Sequence, residues 1–184
     1  MLKSYKLTLL ILCSLINFAQ AEPSDFHDNG DWSWFFDSEY LNGVAATLND
    51  SGLIFGQFCE PLEQSCYYMV SLSASCISDA EIPALASASS GVSHITLICD
   101  EGIDNEEYRY FITPFDTIDA IIRNSNGVLG IAIGLEDGRF AVERFSLFGV
   151  NKTLDEMRSL TSDIIDFMEQ NDELNQPLQS SEIL

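Results

Sequence analysis

Val128-Leu-Gly-Ile-Ala-Ile-Gly-Leu-Glu-Asp-Gly-Arg-Phe-Ala-Val-Glu-Arg-Phe-Ser-Leu-Phe148 is the stretch that decides the fold class. Two β-rich runs, Val128 to Ile133 and Arg139 to Phe148, bracket Glu136-Asp137-Gly138. Asp-Gly is a strong hairpin signal, because glycine takes positive φ without steric penalty. Upstream, Val44 to Leu48 and Leu53 to Phe58 flank the polar turn Asn49-Asp50-Ser51-Gly52 and predict a second hairpin. Tyr67 to Leu72, His94 to Cys99 and Tyr108 to Thr113 add three more strands. Ser73 to Ser93 is small and polar, with Pro83 and Gly91, and reads as a loop holding a short strand near Ile82 to Leu85. Asp100 to Glu107 reads as an acidic turn.

Two segments carry helical spacing. Phe115, Ile118, Ile121 and Ile122 predict a short helix over Phe115 to Arg123. Near the end, Leu154, Met157, Leu160, Ile164, Ile165 and Met168 share one face, and Thr153 with Glu156 fits a capping box. The expected fold is mainly β: an antiparallel sandwich- or barrel-like domain over residues 43–170 with one C-terminal amphipathic helix. Residues 22–42 form an acidic, aromatic N-terminal segment expected to lie over the core as an ordered edge, and residues 171–184 a polar, flexible tail.

The first 21 residues predict export. Lys3 and Lys6 precede an apolar run from Leu7 to Ile16, and Ala19-Gln20-Ala21 places small residues at a cleavage site. The run is about half the roughly 20 residues that a membrane span needs, and no later stretch is apolar enough. The signal peptide is therefore expected to be cleaved, leaving a periplasmic or secreted protein with no integral span.

Acidic residues outnumber basic ones 29 to eight, for a net charge of −21. Cleavage would remove two lysines and no acid. Such a field repels nucleic acid and anionic surfaces and favours cations and basic partners.

Cys13 leaves with the signal, so Cys59, Cys66, Cys76 and Cys99 remain, an even number in an exported chain, and predict two disulfides. Three pairings are open; local closure favours Cys59 with Cys66, and Cys76 with Cys99 as a tie between adjacent strands. The spacings lack the paired knuckles of structural zinc sites.

No catalytic motif stands out. Of the two histidines, His27 lies in the acidic segment, and His94 starts a strand near Ser89, Ser90 and Ser93 but in no nucleophile elbow. Carboxylate pairs are too abundant to single one out for glycosidase chemistry. Calcium is the metal considered: Asp100, Asp104, Asn105, Glu106 and Glu107 crowd one loop with hard oxygen ligands, and Asp25, Asp28, Asn29 and Asp31 form a second cluster. The first does not have the order of an EF-hand loop. Trp32, Trp34, Tyr67 and Tyr68, with Phe35 and Phe36 nearby, are candidates for a partner-binding aromatic patch, although core packing is the commoner fate of such residues.

The order of features resembles the invasion-associated locus B family of exported bacterial proteins. The matching residues are Ile54-Phe55-Gly56-Gln57-Phe58-Cys59 with Cys66, then Phe145-Ser146-Leu147-Phe148-Gly149-Val150 leading into the helix, with Val150 where the family tends to have Phe. The order spans Leu53 to Met157. The resemblance implies a β-rich periplasmic or surface protein linked to host interaction or envelope biology, and it supplies no catalytic residues. The expected function is that of an exported, non-enzymatic protein binding a protein or envelope partner. The alternatives are a hydrolase or accessory enzyme with an unrecognised site, or a calcium-binding exported domain.

Overall fold

The computed structural model describes residues 26–37, 39–104, 107–135 and 138–174. The proposed signal peptide, residues 1–21, lies outside them. Ten strands form one antiparallel sheet: β1 (His27–Asn29), β2 (Trp32–Asp37), β3 (Asn42–Leu48), β4 (Ile54–Glu60), β5 (Ser65–Leu72), β6 (Glu81–Ala88), β7 (Gly91–Asp104), β8 (Glu107–Thr113), β9 (Val128–Gly134) and β10 (Phe140–Ser146). Their spatial order is β1-β2-β3-β4-β5-β8-β7-β6-β9-β10. Two helices complete the molecule, α1 (Phe115–Arg123) and α2 (Val150–Leu174). The mainly β, barrel-like architecture with a C-terminal helix matches the expectation from the sequence.

Alternation sorts each strand into an inner and an outer face. Trp32, Ala45, Phe55, Tyr68, Leu97, Tyr110, Leu129, Ile131 and Phe145 point inward and form one core with Ile118 and Ile122 of α1 and Leu154 and Met157 of α2. Small inner residues on β3 let α2 approach: a Cβ on Gly43 would sit 2.7 Å from Thr161 Oγ1 and 2.9 Å from Met157 Sδ.

The sheet rolls until its two ends meet. Trp32 on β2 is fully buried, and its indole N–H donates to the carbonyl of Ser146 on β10 at 2.7 Å. Its ring meets Phe55 edge-on at 5.8 Å, and Phe55 in turn packs against Phe145 at 5.4 Å. The Asp31 N–H donates to the Phe148 carbonyl at 3.0 Å. Burying a tryptophan stabilises by on the order of 5 kcal/mol, against about 1 kcal/mol for each hydrogen bond, so packing dominates at this seam. Gly149 makes the contact sterically feasible. Its φ is +93°, and a Cβ there would lie 1.6 Å from the Asn29 carbonyl oxygen.

Both favoured disulfides are present. Cys59–Cys66 joins directly opposed residues of β4 and β5. Cys76–Cys99 ties the β5–β6 connection to β7. It does not join two adjacent strands, although the connection runs beside β7: the Asp79 N–H donates to the Cys99 carbonyl and the Cys99 N–H to the Ala80 carbonyl.

Three local expectations are corrected. The segment read mostly as loop contains the full strand β6, which turns tightly into β7. Its small residues and Pro83 hid it, yet β6 is central, paired with β7 throughout and with β9 over Ala84 to Ser87. Pro83 precedes the β9 pairing, so its missing N–H leaves that ladder intact. The acidic stretch from Asp100 is largely strand, because β7 continues to Asp104 opposite Glu107, with register shifts around Gly102. Helix α2 starts at Val150, one turn before the proposed cap. Thr153 is thus inside the helix, and its hydroxyl donates back to the Gly149 carbonyl at 3.0 Å. Glu156 accepts instead from Asn29 and Trp34.

Gly149→Ala should cost about 3 kcal/mol or more in urea unfolding, from backbone strain and the clash with Asn29. Gly138→Ala, at φ +80° with open space around its Cβ, should cost only about 1 kcal/mol. Equal losses would show that the seam does not depend on close approach. Replacing both Cys76 and Cys99 by Ala should cost about 1 kcal/mol more than replacing Cys59 and Cys66, since their separation is 23 residues against 7 and a longer closed loop restricts the unfolded chain more.

Candidate functional site

The outer face of β2, β3, β4, β5 and β8 is apolar although no element of the described chain covers it. Register builds a row across four strands: Phe35 opposes Val44, Val44 opposes Phe58, and Phe58 opposes Tyr67. Phe26 extends the row at one end, 4.9 Å from Phe35 between ring centroids. At the other end Phe58 stacks on Tyr67 at 5.8 Å, and Phe111 of β8 meets Tyr67 edge-on at 5.1 Å. Cross-strand apolar pairs of this kind stabilise a sheet even on its solvent side.

Part of this face forms the wall of an open groove of about 910 Å³. Phe35, Val44, Leu48, Ile54 and Phe58 line one side, and Val128, Arg144 and Ser146 face them from the β9–β10 end of the sheet. Leu48 is 64% exposed and Val128 50%. Asp31 and Asp50 also reach the groove, the former accepting a hydrogen bond from the Ser146 hydroxyl. The same parity puts Asp28, Asp37, Glu60 and Asp100 on the outer side of their strands. Tyr67 donates its phenolic proton to Glu60 at 2.9 Å, and Asp100 pairs with Arg109 at 2.9 Å. Burial first, and then Glu60, hold the Tyr67 phenol above its ordinary range. An apolar centre ringed by polar groups is the anatomy of a binding surface.

The four aromatic candidates separate in the fold. Tyr67 lies on the outer face. Trp32 and Tyr68 are fully buried in the core. Trp34 faces inward and is half-buried, stacked on His27 at 4.3 Å. Its indole N–H donates to Glu156 Oε2 at 3.0 Å, and the Asn29 side-chain amide donates to the same oxygen at 2.8 Å. These bonds hold the Glu156 carboxyl below the usual carboxylate range.

Sequence reasoning did not single out Val44, Phe58 or Phe111. The available signal was β3 itself, where Val44, Ala46 and Leu48 alternate with Gly43, Ala45 and Thr47: a strand apolar on both faces is either covered on both or carries a docking face.

The inner polar residues serve packing. Arg158 of α2 donates through Nε to Gln57 Oε1 at 2.7 Å and through Nη2 to Asp119, which also accepts from the Tyr68 hydroxyl at 2.7 Å. This network anchors α2 to α1, β4 and β5. Burial first, and then the Asp119 bond, keep the Tyr68 phenol well above its ordinary range.

No calcium site assembles from the described side chains. Asp100 is taken by Arg109, and Asn105 and Glu106 lie outside the described residues, as do the side chains of Asp104 and Glu107. In the second cluster, Asp25 lies outside them, Asp28 accepts from the Ser33 hydroxyl at 2.6 Å, and Asn29 points to α2. Among the described residues no three His, Cys, Asp or Glu side chains are grouped to hold a metal ion. His94 is exposed, and among the described residues no hydrogen bond links it to a serine or carboxylate. Ser90 Oγ instead accepts from the Ser125 hydroxyl at 2.7 Å. Among the described residues no helix is long and apolar enough to cross a membrane.

The fold is similar to the crystal structure of invasion associated protein B from Bartonella henselae, with a TM-score of 0.53, covering 74% of this chain and 98% of that one at 11% identity. At that identity the likeness shows the fold. It agrees at this level with the family resemblance read around Cys59 and Ser146. No protein-family model matches, and no curated protein does.

The depressed Glu156 carboxyl gives a sign to acid unfolding. Because its folded pKa lies below the unfolded value, its contribution is full above the ordinary glutamate range near roughly 4.3 and is lost as pH falls through the folded value. In chemical unfolding at pH 7 and pH 3, the stability advantage of wild type over Glu156→Gln should shrink at the lower pH. An advantage constant across that span would show that the charge on Glu156 does not matter to the contact.

Proposed function

We propose that this chain is an exported protein, periplasmic or secreted, that has no catalytic activity and acts by binding a protein or envelope partner through the outer face of β2 to β5. The observation that carries this is the row Phe35–Val44–Phe58–Tyr67, a solvent-side apolar stripe beside a groove. A chain with 29 acidic residues has ample polar material for a sheet surface, so an apolar one calls for a partner. Export is supported by the order of residues 1–21 and by two disulfides, which persist in oxidising compartments. The neighbour in fold is named an invasion associated protein, which suits action at or beyond the cell envelope.

Intact mass of the protein recovered from the cell exterior or periplasm should show loss of residues 1–21 and no free thiols before reduction. Retained residues or free thiols would remove the export premise. A photo-crosslinking amino acid at position 44 should give one discrete adduct in intact cells, absent from the same probe at exposed Asp116 and abolished by Phe58→Ser. No adduct from position 44, or equal adducts from both positions, would overturn binding at this face.

A further inference from the structure

We infer that the occupant of the outer groove is a cationic amphipathic segment of a protein partner, with apolar side chains on Val44, Leu48 and Phe58 and lysine or arginine side chains at the acidic margin. This rests on the binding role proposed for the face and adds the chemistry of the partner.

Charge complementarity carries the assignment. Six carboxylates border the outer face: Asp28, Asp31, Asp37, Asp50, Glu60 and Asp100, and two of them, Asp31 and Asp50, line the groove itself. Two guanidinium groups stand against them. Arg109 is already paired with Asp100. Arg144, in the groove wall, forms no ion pair or side-chain hydrogen bond among the described residues, and offers one place for an acidic residue of the partner. The field of the whole molecule, at −21, adds to the local excess and steers a cationic segment to the face.

Other occupants fit less well. An anionic lipid would meet Asp31 and Asp50 inside the same groove. A second copy of the chain would bring the same acidic margin against this one, and like charges opposed across an interface oppose pairing. Apolar contact is needed as well as charge, because rim ion pairs contribute little once exposed and screened.

The test uses the purified, disulfide-bonded chain and two synthetic peptides of equal positive charge, one alternating Lys with Leu and one alternating Lys with Ser, with binding read by fluorescence anisotropy. The Lys/Leu peptide should bind at least about tenfold more tightly than the Lys/Ser peptide, the effect of burying one or two aliphatic side chains. Its binding should weaken as salt rises. Val44→Asp adds a negative charge at the centre of the face, so a purely field-driven interaction would tighten, whereas docking into the apolar row should weaken about tenfold. Leu48→Asp, at a position 64% exposed, repeats the test where folding tolerates the change. Asp50→Asn should weaken the Lys/Leu peptide by a smaller factor.

Equal binding of both peptides, or unchanged or tighter binding by Val44→Asp and Leu48→Asp, would overturn the inference. So would tighter binding to vesicles containing phosphatidylglycerol than to the Lys/Leu peptide, or concentration-dependent dimerisation in sedimentation with no peptide bound. If the crosslink from position 44 forms in cells while the Lys/Leu peptide fails, the face still binds a partner and only its cationic character is rejected. If both fail, the binding role falls with it.

Discussion

Everything in this molecule depends on bringing the two ends of one long sheet together around Trp32. A ten-stranded antiparallel sheet has two edges and two faces to protect, and rolling solves part of both problems at once. The indole of Trp32 fills the space between β2 and β10, rests on Phe55 and donates to Ser146. The chain then passes through Phe148 and Gly149, so close to Asn29 that a side chain at Gly149 has no room. The same turn launches α2, whose first residues Val150, Leu154 and Met157 are driven into the core that the seam has just closed.

Helix α2 then determines which polar groups can be buried. Arg158 reaches Gln57 and Asp119 at the junction of β4, β5 and α1, and Asp119 collects the Tyr68 hydroxyl as well. The Arg158 charge is tolerated there because Asp119 and the Gln57 Oε1 both accept from it, although the buried Gln57 Nε2 has no partner among the described residues, and removing Arg158 would strand the acceptors. Glu156, two residues earlier, ties α2 to Asn29 and Trp34 at the sheet edge. The conspicuous aromatics of the N-terminal segment are thus consumed largely by the seam and by α2. The outer face is left to Phe35 of β2, Val44 of β3, Phe58 of β4, Tyr67 of β5 and Phe111 of β8.

That outer face sets the functional question. Against a net charge of −21, the chain presents an apolar stripe on the outer side of five strands. The disulfide between Cys59 and Cys66 clamps the β4–β5 hairpin beside that stripe. A sheet face tied in this way is preorganised, so the proposed partner would lose little to rearrangement of this side.

The sequence by itself determined the β class, the hairpins around Asn49–Gly52 and Asp137-Gly138, the short helix at Phe115 to Arg123 and the amphipathic character of α2, because these rest on local periodicity and turn chemistry. The pair Cys59–Cys66 was legible from its short loop, whereas Cys76–Cys99 was favoured as a tie between adjacent strands and instead joins the β5–β6 connection to β7. The central strand β6 was not, since its alanines, serines and Pro83 acquire strand geometry only from neighbours on both sides. Nor was the start of α2, where Gly149 and the contact with Asn29 override a plausible cap at Thr153. Tertiary structure alone decided which aromatics are inside. Trp32 and Tyr68 fall on the core face and Tyr67 on the outer one, and a strand that is apolar on both faces does not announce which will be covered until the sheet has rolled and α2 has chosen its side.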